Sequence, residues 1–180
     1  PSSLFLTSRA EGASVTGAVV FPALEGTRPV LCEIQALVVR VPSGATPRRA
    51  VVGWDSGRLA MLLAVLEARC GLNFSSAEVY LNVAGGYRLA DPAADLAVAA
   101  ALVSALADKP LAADAVWFGE VSLAGEIRPV AHSSIRLRES AKLGFGTAFG
   151  PTDANSGDAA TRFTGLSLLP NLVDRIVGAA

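Results

Sequence analysis

The chain has 180 residues, with 15 Lys and Arg side chains against 16 Asp and Glu, and its formal net charge is -1. This length suits one core, so we expect residues 1–180 to form a single domain, and the balanced charge argues against a globally basic nucleic-acid binder without excluding a local basic surface. No apolar run reaches the roughly 18 residues of a membrane span, so we expect no membrane contact.

Two strands are predicted near the start of the chain. Branched apolar residues dominate residues 15–21 and 29–40, and glycine and proline bound both segments, as is typical of strands. An antiparallel pair is the simplest arrangement. Prolines and a glycine interrupt residues 41–50 and predict a loop there. Three arginines lie at or near this loop: Arg40, Arg48 and Arg49.

The first predicted helix begins after Asp55, whose carboxylate suits the N-cap position, and runs to about Cys70. Apolar residues recur along one face of this helix at helical spacing. They are Leu59, Leu62, Leu63 and Leu66. Gly71 follows the helix and is a plausible stop. Residues 78–83 are then predicted to form a buried strand.

A second helix begins at Asp91 and Pro92, after a turn at Gly85-Gly86. Asp91 supplies a capping oxygen, and proline is favoured at the first position of a helix. Small residues crowd this helix, so it can lie close against a sheet or a neighbouring helix. Capping and the positive end of the helix dipole explain Asp91 and Asp95.

The last third of the chain predicts a hairpin followed by alternating strands and helices. Residues 116–122 and 126–128 flank Ala124-Gly125, which is typical of a tight hairpin. Ser133 or Ser134 is predicted to cap a helix that ends near Leu143, before Gly144. The remaining predicted elements are a strand at 148–150, a polar loop at 151–158, a strand at 166–169 and a helix from Asn171. This pattern predicts an α+β domain without internal repeats.

Neither the cysteines nor the histidine indicate a metal or catalytic centre. Cys32 and Cys70 lie far apart and outside any metal-ligand spacing, so we expect reduced thiols and a cytoplasmic location. No cluster of His, Cys, Asp or Glu has a metal-binding spacing, so we expect no metal or cofactor in this chain. His132 beside Ser133 and Ser134 could be imagined as a catalytic pair, but adjacent residues rarely point at one another. A polar helix entrance is the favoured interpretation.

The run GEVSLAGEIRPV, residues 119–130, followed by AHSS, residues 131–134, resembles the second active-site motif of Lon-type proteases. In that family a lysine after the Pro-Val pair deprotonates the serine of an earlier Pro-Ser-Ala-Gly run. Here Ser134 stands at the lysine position, and Ala93 stands at the serine position within residues 91–95. Because a Ser-Lys mechanism needs a hydroxyl and a base in contact, the resemblance implies a degenerate dyad without peptidase activity.

Longer motifs in the same order resemble the C-terminal Lon-protease-like region of the RadA (Sms) family of bacterial recombination and repair ATPases. They are EGTRPVLCEIQALV from Glu25, TPRRAVVGWDSGRLAMLLAVLEARCGL from Thr46, YLNVAGG from Tyr80, DPAADLAVAAAL from Asp91 and RLRESAKLGF from Arg136. The resemblance implies a Lon-like α+β fold, with a mixed sheet, packed helices and a ribosomal-protein-type βαβ unit. Residues 1–6 match the boundary between the family's ATPase core and this region.

The family's cysteine zinc motif, P-loop and Lys-Asn-Arg-Phe-Gly motif are absent from this sequence. We therefore expect the chain to be a C-terminal fragment, with ATP, Mg and Zn needed only by N-terminal regions. The resemblance also implies a homo-hexameric ring that acts on single-stranded or branched DNA, in which this domain forms one tier beside its own ATPase domain.

Arginine suits bidentate phosphate contacts as well as interface ion pairs. The candidate DNA-contacting residues are Arg40, Arg48, Arg49, Arg58, Arg88 and Arg128. Alternatively, these arginines pair with carboxylates across subunits or solvate a loop, and Arg128 could occupy the relic cleft.

Three functions stay open at this point. The leading one is a non-catalytic scaffold that holds a ring together and contacts DNA without sequence preference. The second is a pure oligomerisation module without a DNA role. The third is a working peptidase that uses Ser133 or Ser134, although Lys142 lies about two helical turns further on and is too distant to act as the base.

Overall fold

The computed structural model describes residues 16–42, 44–154 and 161–178. Within them, a seven-stranded sheet and a separate two-stranded ribbon are accompanied by four α-helices. The strands are β1 (Ala18–Glu25), β2 (Arg28–Arg40), β3 (Arg49–Val52), β4 (Ala77–Val83), β5 (Ala115–Trp117), β6 (Glu120–Val121), β7 (Ile127–Arg128), β8 (Thr147–Gly150) and β9 (Arg162–Gly165). The helices are α1 (Ser56–Cys70), α2 (Asp95–Ala107), α3 (Ser133–Lys142) and α4 (Leu169–Val177).

The large sheet has the strand order β3-β4-β2-β1-β5-β8-β9. β2 runs antiparallel to both β1 and β4, while the other neighbouring strands of this sheet are parallel. β6 and β7 form the two-stranded ribbon. The α+β class, the mixed sheet with packed helices and the antiparallel pairing of the first two strands are confirmed. None of the described helices is both long and apolar enough to cross a membrane.

The helix ends follow the local chemistry of the sequence. The carboxylate of Asp55 accepts from the backbone N–H of Arg58 at 2.8 Å, and Gly71 ends α1 with a φ of 70°. The carboxylate of Asp91 accepts from the N–H of Ala93 at 3.0 Å, and Pro92 takes the first helical position. The second helix therefore begins where predicted, as a short 3-10 turn that continues into α2.

Helix α2 forms the centre of the core. Its residues from Asp95 to Ser104 are all buried, and it packs against β1, β2 and β5 of the sheet and against α1 and α4. Small side chains allow this close approach, as the sequence predicted. Each fully buried leucine of this helix, such as Leu96 or Leu102, contributes roughly 1.5–3 kcal/mol through burial of apolar surface.

The predicted strand at 116–122 is wrong as a continuous element. β5 ends at Trp117 in the main sheet, and β6 begins at Glu120 in the ribbon. The break occurs because the N–H of Gly119 donates to the carbonyl of Ala93 at 2.8 Å, and its carbonyl accepts from the N–H of Leu96 at 3.0 Å. These two bonds fasten the chain to the entrance of α2. The predicted hairpin itself is confirmed, with Gly125 at a φ of 84°.

Neither predicted serine caps α3. His132 holds the N-cap position in a left-handed conformation with a φ of 63°, and its side chain makes no capping bond. The hydroxyl of Ser133 instead donates to the carbonyl of Val130 at 3.3 Å. The predicted end near Leu143 is confirmed, and Gly144 follows with a φ of 94°.

The predicted strand at 166–169 is also wrong. The strand in this region is β9, and the apolar residues after it are buried by turning into α4, which begins at Leu169 rather than Asn171. The side-chain oxygen of Asn171 accepts from the N–H of Leu168 at 3.1 Å, which fixes the start of this helix. Because buried helices and buried strands both need apolar residues, the short run alone did not distinguish them.

Smaller corrections concern strand limits. β1 begins at Ala18 and continues to Glu25, and Val15 lies outside the described residues. β3 occupies the end of the segment that was predicted as a loop. β4 alternates between buried residues and half-buried or exposed ones instead of being buried throughout, because the described residues cover only one of its faces. In the predicted loop at 151–158, residues 152–154 form a 3-10 turn and 155–158 lie outside the described residues.

Candidate functional site

The two motif positions that a Lon-type dyad would use differ sharply in their surroundings. Ala93 lies in the turn that enters α2 and is fully buried. Ser134 lies in the first turn of α3 and is exposed. The backbone at Gly119 crosses next to Ala93 and hydrogen bonds to its carbonyl. A side chain at position 93 is therefore covered by the protein itself.

The buried guanidinium of Arg136 joins the two motif segments. Its Nη2 donates to Asp91 Oδ2 at 2.7 Å, its Nη1 to the carbonyl of Pro22 at 2.7 Å and its Nε to the carbonyl of Ala131 at 3.1 Å. The Arg136 side chain is only 2% exposed. Asp91 therefore has two tasks, since one oxygen caps the helix entrance and the other neutralises a buried cation. The sequence does not single out Arg136, because nothing in the residues around it separates it from the exposed arginines.

A second ion pair lies on the other side of the α2 entrance. The Nε of Arg58 donates to Asp95 Oδ1 at 2.6 Å, its Nη2 bonds the other carboxylate oxygen, and the N–H of Val121 donates to Asp95 Oδ2 at 3.0 Å. The Asp95 side chain is 3% exposed and that of Arg58 is 31% exposed. This pair connects α1, α2 and the β6-β7 ribbon, so the helix dipole alone does not account for Asp95.

The electrostatics of this pair reflect its burial. Burial raises the pKa of the Asp95 carboxyl, while hydrogen bonds from Arg58 and Val121 oppose that rise. The hydrogen bond to Asp95 raises the pKa of Arg58 above its ordinary value. The guanidinium of Arg58 and the N–H of Val121 thus both favour the ionised form of this carboxylate. Among residues 16–42, 44–154 and 161–178, no group of three or more His, Cys, Asp or Glu side chains could hold a metal ion.

The six arginines predicted to contact DNA divide into two groups in the structure. Arg49 donates to the carbonyls of Phe74, at 2.8 Å, and Ala77, which ties the connection between α1 and β4 to β3. Arg58 is engaged by Asp95, and the Nη2 of Arg128 lies 3.5 Å from Glu126. In contrast, the side chains of three are exposed and form no hydrogen bond or ion pair within the described part of the chain. They are Arg40, Arg48 and Arg88.

Two of these free arginines lie at one end of the sheet, and the third lies near the other end of β3. Arg40 ends β2, and the carbonyl of Arg48, just before β3, accepts from β4. Arg88 follows Tyr87, and the carbonyl of Tyr87 lies against Gly53, the residue immediately after β3. The structure therefore places Arg40 and Arg48 at the same end of the sheet, on either side of β4, and separates both from Arg88 by the length of β3. The role of all six arginines in DNA contact stays a prediction.

The residues that carry the two motif segments match a known protein family. The family model described as "Subunit ChlI of Mg-chelatase" matches residues 58–154, which is more than half of the chain and includes both motif segments. The chain belongs to this family.

Curated relatives add a more specific similarity. The chain is 55% identical over 181 residues to the DNA repair protein RadA of Brucella abortus, covering 99% of this chain and 38% of that protein. It is 54% identical to RadA of Rickettsia felis over 81% of this chain and 32% of that protein, and 46% identical to RadA of Synechocystis over 94% and 32%. The resemblance to the RadA C-terminal region is confirmed, and the chain spans about a third of the length of these relatives.

Proposed function

We propose that this chain is a non-catalytic, Lon-like scaffold domain of a RadA-type DNA repair protein, which helps to assemble a hexameric ring and contacts DNA without sequence preference. The similarity to RadA proteins over nearly the whole chain carries this proposal. We propose further that the whole protein is cytoplasmic. Its ATPase domain, and the sites for ATP, Mg and Zn, would lie in parts of that protein beyond this chain.

The residues at the dyad positions support the absence of peptidase chemistry. Ala93 has a methyl group where a nucleophile is needed, and it is fully buried. Ser133 uses its hydroxyl to bond the carbonyl of Val130, and the ammonium of Lys142 lies 3.3 Å from Glu139. An activated nucleophile requires a base within hydrogen-bond reach, and neither serine has such a partner among the contacts of the described residues.

Casein turnover tests this part of the proposal. We expect no turnover above background by the wild type, and the same result for the Ser133→Ala/Ser134→Ala double variant. Turnover by the wild type that disappeared in the double variant would restore the peptidase hypothesis.

The free arginines Arg40 and Arg48 support a local DNA-contacting surface despite the balanced net charge. Each phosphate contact releases counterions, so the affinity for single strands falls with salt by a slope of about 0.7 for every contact. Arg49 is a less suitable target for mutagenesis, because its side chain bonds two backbone carbonyls and its removal would also disturb the sheet edge.

Fluorescence anisotropy with labelled single-stranded DNA, between about 50 and 200 mM salt, tests the DNA contacts. We expect Arg40→Ala/Arg48→Ala to weaken binding and to lower the salt slope by about 1.4, which corresponds to two lost contacts. The matched control is Arg28→Ala/Arg138→Ala, which removes the same charge from exposed positions elsewhere. Equal affinities for the wild type and the first double variant would remove the DNA assignment.

A pure oligomerisation module is the second candidate, and exposed apolar residues favour it. Leu37 and Val52 are each 59% exposed, and such patches often mark interfaces between proteins. Multi-angle light scattering that showed rings, together with negligible DNA binding at moderate salt, would favour this function over the first.

A further inference from the structure

At the β2-β4-β3 side of the large sheet, one face is covered by none of the described residues. Leu37 pairs with Tyr80 across β2 and β4, and Tyr80 pairs with Ala50 across β4 and β3. Directly paired residues point to the same side of a sheet, and alternate residues along each strand share that side. The open sheet face, as we call it, consists of Gln35, Leu37 and Val39 of β2, Glu78, Tyr80 and Asn82 of β4, and Ala50 and Val52 of β3. The intervening residues, such as Val79 and Leu81, are buried in the core.

The centre of the open sheet face is a shallow, largely apolar groove. It has a volume of about 310 Å³, and Leu37, Ala50, Val52 and the half-buried ring of Tyr80 line it. At one end, Asn82 Nδ2 lies 3.5 Å from Gln35 Oε1, so amide groups border the groove. At the other end, Glu78 is half-buried and accepts from the hydroxyl of Tyr80 at 3.1 Å. A ring and aliphatic side chains thus form a flat surface with polar edges.

Free positive charge lies at both ends of this groove. Arg48 lies two residues before Ala50, and its carbonyl accepts from the N–H of Val79, so it continues the open sheet face beyond the start of β3. Arg88 lies beyond the opposite end of β3, next to the loop that contacts Gly53. The four residues of β3 span roughly 13 Å at about 3.3 Å per residue. An extended polyanion that follows β3 would therefore meet Arg48, with the carboxylate of Glu78 nearby, at one end, Arg88 at the other end and an apolar surface between them.

We infer that single-stranded DNA crosses the open sheet face along β3, with bases against Tyr80, Leu37 and Val52, and with phosphates near Arg48 and Arg88. This inference rests on the proposed DNA contacts and adds a site and a strand class to them. Single strands bind proteins by stacking bases on aromatic side chains beside a positively charged groove. Sheets with such platforms hold two or three bases. A duplex does not fit this face, because its bases are already stacked and paired.

The experiment compares two ligands of equal charge, an oligothymidine of about 15 nucleotides and an abasic oligomer of the same length. Stacking contributes only to the first ligand, whereas phosphate contacts contribute to both. We expect the wild type to prefer oligothymidine, and Tyr80→Ala to lose about 5- to 150-fold in affinity for it, in line with one base–aromatic stack. The affinity of Tyr80→Ala for the abasic oligomer should match that of the wild type.

Three further variants separate stacking from loss of fold and from charge. Tyr80→Phe keeps the ring and should bind oligothymidine like the wild type, while Leu37→Ser, at an exposed position, should weaken this binding without unfolding the sheet. Arg48→Ala should lower the salt slope by about 0.7, whereas Tyr80→Ala should leave the slope unchanged. Leu123→Ser is the control, since Leu123 is 64% exposed and lies in the β6-β7 ribbon.

The outcomes distinguish the inference from the function on which it rests. Absence of DNA binding by the wild type would refute the proposed DNA contacts and this site together. Binding that is equal for both ligands, and unchanged in Tyr80→Ala and Leu37→Ser, would refute the site alone. If Leu37→Ser instead lowered the oligomer mass in light scattering and left DNA affinity intact, the open sheet face would be a contact between copies of the chain, and the inference would be wrong.

Discussion

Replacing Arg58 with methionine removes the cation from a nearly buried ion pair and leaves the carboxylate of Asp95 behind. In the wild type this carboxylate accepts three hydrogen bonds, two from Arg58 and one from the N–H of Val121. Methionine retains a flexible apolar stem but donates no hydrogen bond. The stability of this variant therefore measures how strongly a charged partner stabilises the junction of α1, α2 and the β6-β7 ribbon.

The structure sets the expected size of the loss. Hydrogen bonds to charged groups contribute about 1.5–3 kcal/mol each, so the two bonds from Arg58 account for roughly 3–6 kcal/mol. Because 31% of the Arg58 side chain is exposed, water can reach part of the vacated space and solvate the carboxylate. We therefore expect Arg58→Met to lower the free energy of unfolding by about 2–4 kcal/mol, somewhat less than breaking a fully buried pair.

Urea unfolding followed by tryptophan fluorescence and circular dichroism measures this loss. The matched control is Arg128→Met, because Arg128 pairs with Glu126 on the surface, where the side chains are 58% and 53% exposed. An exposed pair of this kind contributes about 0–1 kcal/mol. The double variant Arg58→Met/Asp95→Leu should recover much of the stability, since a buried pair replaced by apolar residues leaves no uncompensated charge.

The same variant has a predictable pH dependence. Burial raises the pKa of Asp95, and Arg58 opposes that rise, so the variant's pKa should be higher still. A carboxyl group with a raised folded pKa favours the folded state below its unfolded pKa, and this advantage is lost as pH rises through the folded value. The deficit of Arg58→Met should thus be largest near neutral pH and smaller in mild acid. A loss no larger than that of Arg128→Met, or one that grows on acidification, would refute the reasoning.

The remaining predictions concern a strained glycine, a buried cation and two thiols. Gly53→Ala should lower the free energy of unfolding by more than about 2 kcal/mol, because Gly53 has a φ of 86° and its Cβ would lie 2.7 Å from a carbonyl oxygen. The control is Gly26→Ala, whose Cβ meets open space and which should lower the same free energy, measured by urea unfolding, by about 1 kcal/mol. Arg136→Met should lower the free energy of unfolding by about 3–5 kcal/mol, because it leaves a carboxylate and two carbonyls without their hydrogen-bond donor. A loss below about 1 kcal/mol would contradict the view that Arg136 holds the two motif segments together. Burial raises the pKa of Cys32 to about 12, so a thiol reagent should label Cys70 of the native protein first. Mass spectrometry follows the labelling of each cysteine, and faster labelling of Cys32 would be inconsistent with its burial.

Local chemistry in the sequence determined both ends of α1, the entrance of α2 and much of the order of elements. Asp55 and Asp91 act through hydrogen bonds to N–H groups two or three residues away, and Gly71 acts through its own φ. These interactions involve only neighbours in the chain, so residue type and position were enough to predict them at α1 and α2. The motif order was similarly sufficient to recognise the relatives, because it requires no coordinates.

Contacts between distant segments could not be predicted in this way. Arg48 and Arg49 are adjacent and chemically identical, yet Arg49 bonds the carbonyls of Phe74 and Ala77, while Arg48 stays free. The strand at 116–122 breaks because Gly119 meets the entrance of α2, which lies more than twenty residues earlier.

The open sheet face shows the same limit. Leu37 and Ile34 are both apolar residues of β2, but one is 59% exposed and the other is fully buried. Alternation along a strand determines that they point to opposite sides, while only the packing of the helices decides which side is covered. The sequence alone therefore determined most of the order of elements and the family of this protein. The tertiary structure decided which charges are free and which apolar surface is exposed, since both depend on what distant segments place against them.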